Sequence, residues 1–196
     1  MLSWIGSLQT TTRHFLFLDR DGVINWDRPD YVKGWSEFEF CPDTLSAFHY
    51  LRRQQVGVIV VSNQSALHRG YIQWHSFWHL HHEMIRSVRQ AGGDVLAAFY
   101  CPHRPDEKCS CRKPSPRMLR SAARLFGVTL NSAVMIGDRA TDVATAKNAG
   151  CRAVLLDRVQ PEGSLSNPAT PDSIAPDSRF PSLLEAVLAL YGDASV

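Results

Sequence analysis

The sequence lacks a dominant charge, and it lacks any apolar run long enough to cross a membrane. Its 196 residues include 21 basic and 19 acidic side chains, so no net field favours nucleic acid or a membrane surface. No apolar run approaches the roughly 20 residues that a transmembrane helix needs. The N-terminal stretch MLSWIGSLQTTTRHF has neither the basic nor the long apolar region of a secretory signal. We therefore expect a cytoplasmic, monomeric globular protein that binds neither nucleic acid nor membranes.

Cysteine is sparse as well, and most of it is concentrated in one segment. Three of the five cysteines, Cys101, Cys109 and Cys111, lie within eleven residues. In a reducing compartment clustered thiols indicate a metal site more often than disulfides. Together with His103 they form the pattern C-x-H-x5-C-x-C, which supplies four ligands of the kinds found in closed tetrahedral zinc sites. We predict that these four residues bind a structural Zn²⁺ ion that orders the loop.

The apolar residues that are present occur in short runs that alternate with helical patterns. Runs of strand length occupy residues 14–18, 56–61, 95–100, 133–136 and 152–156, and helical patterns occupy about 43–55, 73–91, 115–126, 140–149 and 181–191. Continuous apolar strands alternating with helices favour an α/β fold with a mainly parallel sheet covered on both faces. We predict a Rossmann-like three-layer fold in one domain, 1–196, with its core at about 14–156, a Pro- and Ser-rich loop at 157–180 and a C-terminal helix at 181–191.

Polar clusters follow four of these strands directly. The first strand is followed by Asp19 and Asp21, the second by Ser62-Asn63-Gln64, the third by the Cys/His segment with Arg112-Lys113, and the fourth by Gly137-Asp138-Arg139. Ligands bind outside the carboxyl ends of the strands in open α/β sheets. The four clusters therefore predict one functional site at that edge.

These residue types match what the hydrolysis of a phosphate ester requires. The reaction needs an oxygen nucleophile, a proton donor for the leaving alcohol, a divalent cation and donors for the phosphoryl oxygens. Asp19, Asp21 and Asp138 offer three carboxylates for the first three tasks, with Asp21 as the general acid and base. Ser62 supplies a hydroxyl, Asn63 supplies an amide, and Lys113 supplies a positive charge suited to phosphate.

At these positions the sequence resembles the haloacid dehalogenase superfamily of phosphatases. DRDGVIN is similar to its first motif, VVSNQS to the second, CRKP to the lysine of the third and IGDRATD to the fourth. The resemblance covers about residues 14–155. It implies Asp19 as a nucleophile that becomes an aspartyl phosphate, Asp21 as acid and base, and Asp19, Asp21 and Asp138 as the Mg²⁺ site. It also implies that Ser62 and Lys113 stabilise the phosphoryl group.

The cysteine segment narrows the resemblance to the heptose-bisphosphate and histidinol-phosphate phosphatases of this superfamily. WDRPDYVKGWSEF and SNQSALHRGY are similar to segments of the heptose enzymes. The resemblance implies a small phosphorylated sugar as substrate, removal of its 7-phosphate, and no large cap domain. The implied substrate-binding residues are Asp27, Arg28, Tyr31, Asn63, Gln64, Ser65, Arg112 and Arg139.

Three alternatives to this activity stay open. The first is a histidinol-phosphate phosphatase, and the second is a zinc-stabilised binding domain that has lost catalysis. The third, a phosphatase of DNA ends, would require a more basic surface. The sequence also departs from the family pattern at Ala66, at His68, and at Arg28-Pro29, where small or acidic residues are common. These departures bear on the identity of the sugar more than on the reaction.

Overall fold

The computed structural model describes residues 1–6, 12, 14–159 and 174–192. Its seven strands are β1 (Leu2–Ile5), β2 (His14–Leu18), β3 (Val56–Asn63), β4 (Ala97–Cys101), β5 (Val134–Gly137), β6 (Arg152–Leu156) and β7 (Ser178–Phe180). Its five α-helices are α1 (Thr44–Arg53), α2 (Trp74–Gln90), α3 (Arg117–Phe126), α4 (Ala140–Ala149) and α5 (Leu183–Tyr191). Short 3₁₀ turns lie at Trp35–Glu37, Pro105–Glu107 and Leu130–Ser132. Among the described helices, none combines the length and the apolar character needed to cross a bilayer.

All seven strands form one sheet in the order β1-β4-β3-β2-β5-β6-β7. Every neighbouring pair is parallel except β1 and β4, which are antiparallel. The predicted α/β fold with a mainly parallel sheet is therefore confirmed. The five predicted apolar runs are the five strands β2 to β6, and the five predicted helical patterns are α1 to α5.

The sheet separates two apolar layers. On one face, side chains from α1, α2 and α5 pack against alternate strand residues such as Val58 and Val60. On the other face, α3 and α4 pack against the intervening residues, including Ile59 and Val61. Because both faces of β3 are buried, its sequence shows a continuous apolar run instead of the alternation of a half-exposed strand.

The sheet extends beyond the predicted core at both of its edges. The segment predicted as a loop at 157–180 ends in strand β7, which pairs with β6 in the register Val154↔Ser178 to Leu156↔Phe180. Asp177 fixes this pairing, because its carboxylate accepts a hydrogen bond from the Ala153 amide at 2.7 Å. The loop prediction is therefore wrong at 178–180, and residues 160–173 of that segment lie outside the described part of the chain. At the other edge of the sheet, β1 pairs with β4. In the sequence, β1 precedes the predicted core.

Candidate active site

The carboxyl ends of the central strands bring the predicted polar clusters together. Leu18 at the end of β2 lies opposite Val60 in β3 and Ile136 in β5. Asp19, Ser62 and Asp138 consequently follow adjacent points on the same edge of the sheet. Asn63 at the end of β3 is tied to the segment after β4, since its Oδ1 accepts the Lys113 amide at 3.0 Å. The prediction of one shared edge for these clusters agrees with this geometry.

Lys113 is the positive centre of the site. It is 4% exposed, and its Nζ lies 2.8 Å from Asp19 Oδ2 and 2.6 Å from Asp142 Oδ1. The ammonium also donates to the Val61 carbonyl at 3.2 Å. Burial alone would lower the pKa of Lys113, but the carboxylates of Asp142 and Asp19 outweigh it and raise that pKa. The lysine is therefore a fixed cation between two buried acids.

Asp19 lies beneath this cation at the tip of β2. Its Oδ1 accepts the Arg20 amide at 2.7 Å, and its side chain is almost fully buried. Burial raises the pKa of Asp19 to about 6, although Lys113 opposes that shift and Asp142 adds to it. At neutral pH the group is mainly a carboxylate, but one whose charge is only partly compensated.

Asp138 has the properties of a metal ligand. Both of its carboxylate oxygens are buried without a hydrogen-bond partner among the described residues. Burial, followed by the nearby charges of Asp142 and Asp19, raises its pKa well above the ordinary value. Oxygens of Asp19, Asp138 and Asp142 lie within 4.8 Å of one another. Lys113 contacts both Asp19 and Asp142, so Asp138 is the carboxylate of this group that is most available to a hard cation such as Mg²⁺, with an oxygen of Asp19 beside it.

Gly22, within the first motif, allows this arrangement to form. Its φ is +81°, a left-handed conformation that glycine adopts without strain. A Cβ built on this residue would lie only 2.1 Å from Asp138 Oδ2. The glycine therefore provides both the bend of the turn and the space that Asp138 occupies.

The Asp21 carboxylate is held by donors from three side chains. Its Oδ1 accepts from Arg20 Nη2 at 2.6 Å and from Asn25 Nδ2 at 2.9 Å, and its Oδ2 accepts from Gln64 Nε2 at 2.7 Å. Burial alone would raise the pKa of Asp21, but the Arg20 charge and these hydrogen bonds bring it below the ordinary value. In this state Asp21 is an ionised carboxylate and therefore a proton acceptor.

A cavity of about 440 Å³ opens above these groups. The predicted catalytic and substrate-binding residues that line it are Asp19, Asp21, Asp27, Arg28, Tyr31, Ser62, Asn63, Ser65, Arg112, Lys113 and Arg139. A larger cavity of about 550 Å³ lies at the opposite, amino-terminal edge of the sheet and contains none of these residues. The chemistry predicted from the motifs is thus concentrated in the smaller cavity.

Cationic side chains surround the outer part of this cavity. Arg139 forms an ion pair with Asp27, and Arg28 is paired with Asp30 at 3.3 Å. Arg112 donates to the His103 carbonyl at 3.2 Å. These arginines lie on three different loops, so the rim can contact an anionic group from several sides.

The four predicted zinc ligands converge at one point beside the cavity. Cys101 Sγ lies 3.4 Å from His103 Nδ1 and 3.5 Å from Cys109 Sγ. Cys111 Sγ lies 3.4 Å from His103 Nδ1 and 3.8 Å from Cys109 Sγ. Tetrahedral zinc with Zn–S bonds of about 2.3 Å and Zn–N bonds of about 2.0–2.1 Å requires ligand separations of about 3.5–3.8 Å. The geometry fits such an ion.

The sequence and this geometry agree with comparisons to known proteins. The HAD-hydrolase-like family model matches residues 110–186. The chain is 37% identical over 163 residues to the D-glycero-beta-D-manno-heptose-1,7-bisphosphate 7-phosphatase of Pseudomonas aeruginosa, covering 79% of this chain and 92% of that protein. It is 40% identical over 136 residues to the enzyme of the same name from Bordetella bronchiseptica, covering 69% and 76% respectively. The chain belongs to this phosphatase family.

A solved structure of the heptose-bisphosphate phosphatase family has the same fold. The D,D-heptose 1,7-bisphosphate phosphatase of B. bronchiseptica, complexed with magnesium and phosphate, superposes with a TM-score of 0.82 at 34% identity. The match covers 92% of this chain and 99% of that one. The predicted resemblance to haloacid dehalogenase-like phosphatases is therefore confirmed.

The structure also reveals residues that the sequence-based prediction missed or placed differently. Arg20 was not predicted as part of the site, yet its buried guanidinium neutralises Asp21. A charged residue between two acids at the end of a buried strand was the available signal. Asn25 was missed as well, and it donates to the same carboxylate. Gln64, predicted to bind substrate, does not line the cavity and instead donates to Asp21 and to Ser62 Oγ, the latter at 3.0 Å.

Asp142, in the first turn of helix α4, has two partners. Its Oδ2 accepts the Arg139 amide at 3.1 Å, as an acid in the first turn commonly does, while its Oδ1 pairs with Lys113. Helix capping and lysine positioning are therefore combined in one side chain.

Proposed function

We propose that the chain is a Mg²⁺-dependent phosphomonoester hydrolase that removes the 7-phosphate of D-glycero-D-manno-heptose 1,7-bisphosphate through an aspartyl-phosphate intermediate. The observation that carries the proposal is the buried ion pair between Lys113 and Asp19 beside the carboxylate of Asp138, whose oxygens accept no hydrogen bond among the described residues. Relatives named as heptose-bisphosphate 7-phosphatases support the substrate, and their names favour its β-anomer.

In the first step a carboxylate oxygen of Asp19 attacks the phosphorus atom. The bond between phosphorus and the ester oxygen breaks, and the transferred phosphoryl group remains on Asp19. Lys113 stabilises the charge on the phosphoryl oxygens, and Ser62 and the amide of Asn63 donate further hydrogen bonds to them. Asp142 preorganises the site, because its ion pair holds the Lys113 ammonium in place before the reaction begins.

Asp21 transfers the proton at the ester oxygen. Its pKa lies below the ordinary value while the cavity contains no anion. A phosphate dianion nearby raises the pKa of a carboxyl group, because like charges disfavour ionisation. Substrate binding therefore favours the protonated form that donates to the leaving alkoxide. The resulting carboxylate then accepts a proton from the water that attacks the aspartyl phosphate, which regenerates Asp19 and releases phosphate.

Asp19, Asp138 and the backbone carbonyl of Asp21 are the proposed ligands of Mg²⁺. When bound, Mg²⁺ neutralises charge on the phosphoryl group and on the attacking carboxylate. Neither buried oxygen of Asp138 accepts a hydrogen bond among the described residues, and the Arg139 Nε atom lies 4.0 Å away, so a bound cation would satisfy this carboxylate.

The rim arginines provide specificity for the rest of the substrate. Arg28, Arg112 and Arg139, with Asp27, Tyr31 and Ser65, line the outer part of the cavity. Cationic side chains match the second phosphate of a bisphosphate, while Asp27 and Ser65 can bind sugar hydroxyls. Gln64 acts behind this surface by orienting Asp21.

The decisive test is phosphate release by the wild-type chain and by Asp19→Asn. This variant is nearly isosteric, and we expect it to lower turnover by a factor on the order of 10³ or more with little change in the melting temperature. Asp157→Asn, at an exposed acid that does not line the cavity, serves as the control and should keep full activity. Substantial turnover by Asp19→Asn would rule out the aspartyl phosphate.

The same assay identifies the substrate when both anomers of heptose 1,7-bisphosphate are compared with histidinol phosphate. We expect the highest kcat/KM for the β-anomer. A preference for histidinol phosphate would overturn the substrate assignment and leave the mechanism intact.

We further propose that Cys101, His103, Cys109 and Cys111 bind one structural Zn²⁺. Four protein ligands leave no open position for catalysis, so the ion would stabilise the loop that carries Arg112 and Lys113. Elemental analysis of the purified chain should find about one zinc per molecule. A zinc content near zero in active protein would refute this site.

A further inference from the structure

His68 and Glu107 connect two loops that are distant in sequence. His68 lies in the loop after β3, and Glu107 lies in the 3₁₀ turn within the cysteine segment. His68 Nδ1 lies 2.9 Å from Glu107 Oε2 and 3.1 Å from Oε1. An ionised carboxylate only accepts hydrogen bonds, so Nδ1 is the protonated nitrogen and donates to both oxygens. The two side chains are about one quarter to one third exposed.

This pair lies directly behind one of the proposed zinc ligands. The rings of His68 and His103 are in edge-to-face contact with centroids 5.0 Å apart. Ligand atoms of His68, His103 and Glu107 all lie within 4.8 Å of one another. His103 presents its Nδ1 to the thiols of Cys101 and Cys111. Polar groups outside a metal site commonly orient its histidine ligands and affect metal affinity by about 10–100-fold.

The same two loops form facing walls of the candidate active site. Ser65 lines the cavity three residues before His68, and Pro105 lines it two residues before Glu107. Arg112 joins the second wall to the cysteine cluster through its hydrogen bond to the His103 carbonyl. A contact between His68 and Glu107 therefore bears on both the cavity and the cluster.

We propose that His68 and Glu107 are positioning residues that clamp the cysteine segment, which carries the four proposed zinc ligands, to the loop after β3. The clamp restrains His103 at the zinc site and sets the distance between the two walls of the cavity. It rests on the proposed zinc site and the proposed phosphatase activity.

The proposal is tested first by zinc release from the purified, zinc-loaded full-length protein to an excess of chelating dye. We expect His68→Ala and Glu107→Ala each to accelerate release by about tenfold. The double variant should release zinc no faster than either single variant, because both substitutions remove the same contact. His68→Asn, which retains an N–H donor close to the position of Nδ1, should restore slow release.

The second readout is steady-state phosphate release by the same proteins. Loosening one wall of the cavity should raise KM several-fold with little change in kcat, since neither residue contacts the reacting atoms. The matched control is the pair His79 and Glu83 on α2, 4.0 Å apart, in which the His79 side chain is exposed. His79→Ala and Glu83→Ala should leave both zinc release and KM at wild-type values.

The outcomes separate the clamp from the proposals on which it depends. Wild-type protein that binds zinc and releases phosphate, with unchanged zinc release in His68→Ala and Glu107→Ala, would overturn the clamp alone. Wild-type protein without zinc would overturn both the zinc site and the clamp. Faster zinc release in variants of a protein without phosphatase activity would uphold the link to zinc and reject the proposed function.

Discussion

At the scale of single residues, the balance of buried charge explains why the site favours a cation. Lys113 is one positive charge among the three buried carboxylates of Asp19, Asp138 and Asp142. Arg20 does not relieve this excess, because Asp21 uses its guanidinium. Uncompensated buried charges cost several kcal/mol each. A divalent cation between Asp19 and Asp138 would remove that cost, so metal affinity originates in the arrangement of the carboxylates themselves.

Gly22 provides a prediction at the same scale. Gly22→Ala imposes a side chain on a backbone with φ of +81° and places its Cβ against Asp138. The left-handed conformation alone costs about 1–2 kcal/mol in the free energy of unfolding. Displacement of Asp138 by about 1 Å should also reduce kcat/KM by on the order of 10²-fold. Urea unfolding and phosphate release measure the two effects separately.

Gly127→Ala is the matched control for this substitution. Gly127 also has a left-handed backbone, with φ of +67°, but nothing lies within 4 Å of a Cβ built there. This variant should lose a similar free energy from backbone strain and keep its wild-type kcat/KM. Equal losses of activity in the two variants would show that the contact with Asp138 has no role.

At the scale of elements, the sequence predicts the strands that are buried on both faces and misses the strands that pair at the edges of the sheet. Strands β2 to β6 are continuous apolar runs because helices cover both of their faces. Strand β7 has only three residues, and its position is set by the hydrogen bonds between Asp177 and Ala153, so no apolar pattern marks it. Strand β1, at the other edge, is also short, with four residues.

The residues of the site likewise fall into a group that the sequence predicts and a group that it does not. Residues that follow strands, such as Asp19 and Asp138, were predictable because strand ends converge in an α/β sheet. The pairing of Lys113 with Asp142 was not predictable, since it depends on side-chain directions from two separate elements. Arg20 was missed for a related reason: its place between two acids marks it as a candidate, but the direction of its side chain, towards Asp21 and away from solvent, depends on the fold.

At the scale of the whole molecule, the site and the stability of the fold are coupled through pH. The pKa of Asp19 is raised from 3.8 to about 6 in the folded chain. A carboxyl group with a raised pKa contributes its full stability below the unfolded pKa, and this contribution is lost as pH rises through the folded pKa. For Asp19 the loss is about 3 kcal/mol between roughly pH 4 and pH 6. Burial shifts the pKa of Asp138 in the same direction and adds to the effect.

Mg²⁺ binds the ionised carboxylates, so its effect on thermal stability should depend on pH with a definite sign. At about pH 8, Mg²⁺ at 100 times its Kd should add about 2.7 kcal/mol and raise the melting temperature by roughly 5–10 °C. At about pH 5 protons compete for Asp19 and Asp138, so the same Mg²⁺ concentration should raise it by less than half as much. Thermal unfolding at both pH values, with and without Mg²⁺, measures this difference. Asp138→Asn should abolish the shift, and Asp157→Asn should retain it. Equal shifts at the two pH values would mean that Mg²⁺ stabilises the chain elsewhere than at the buried carboxylates.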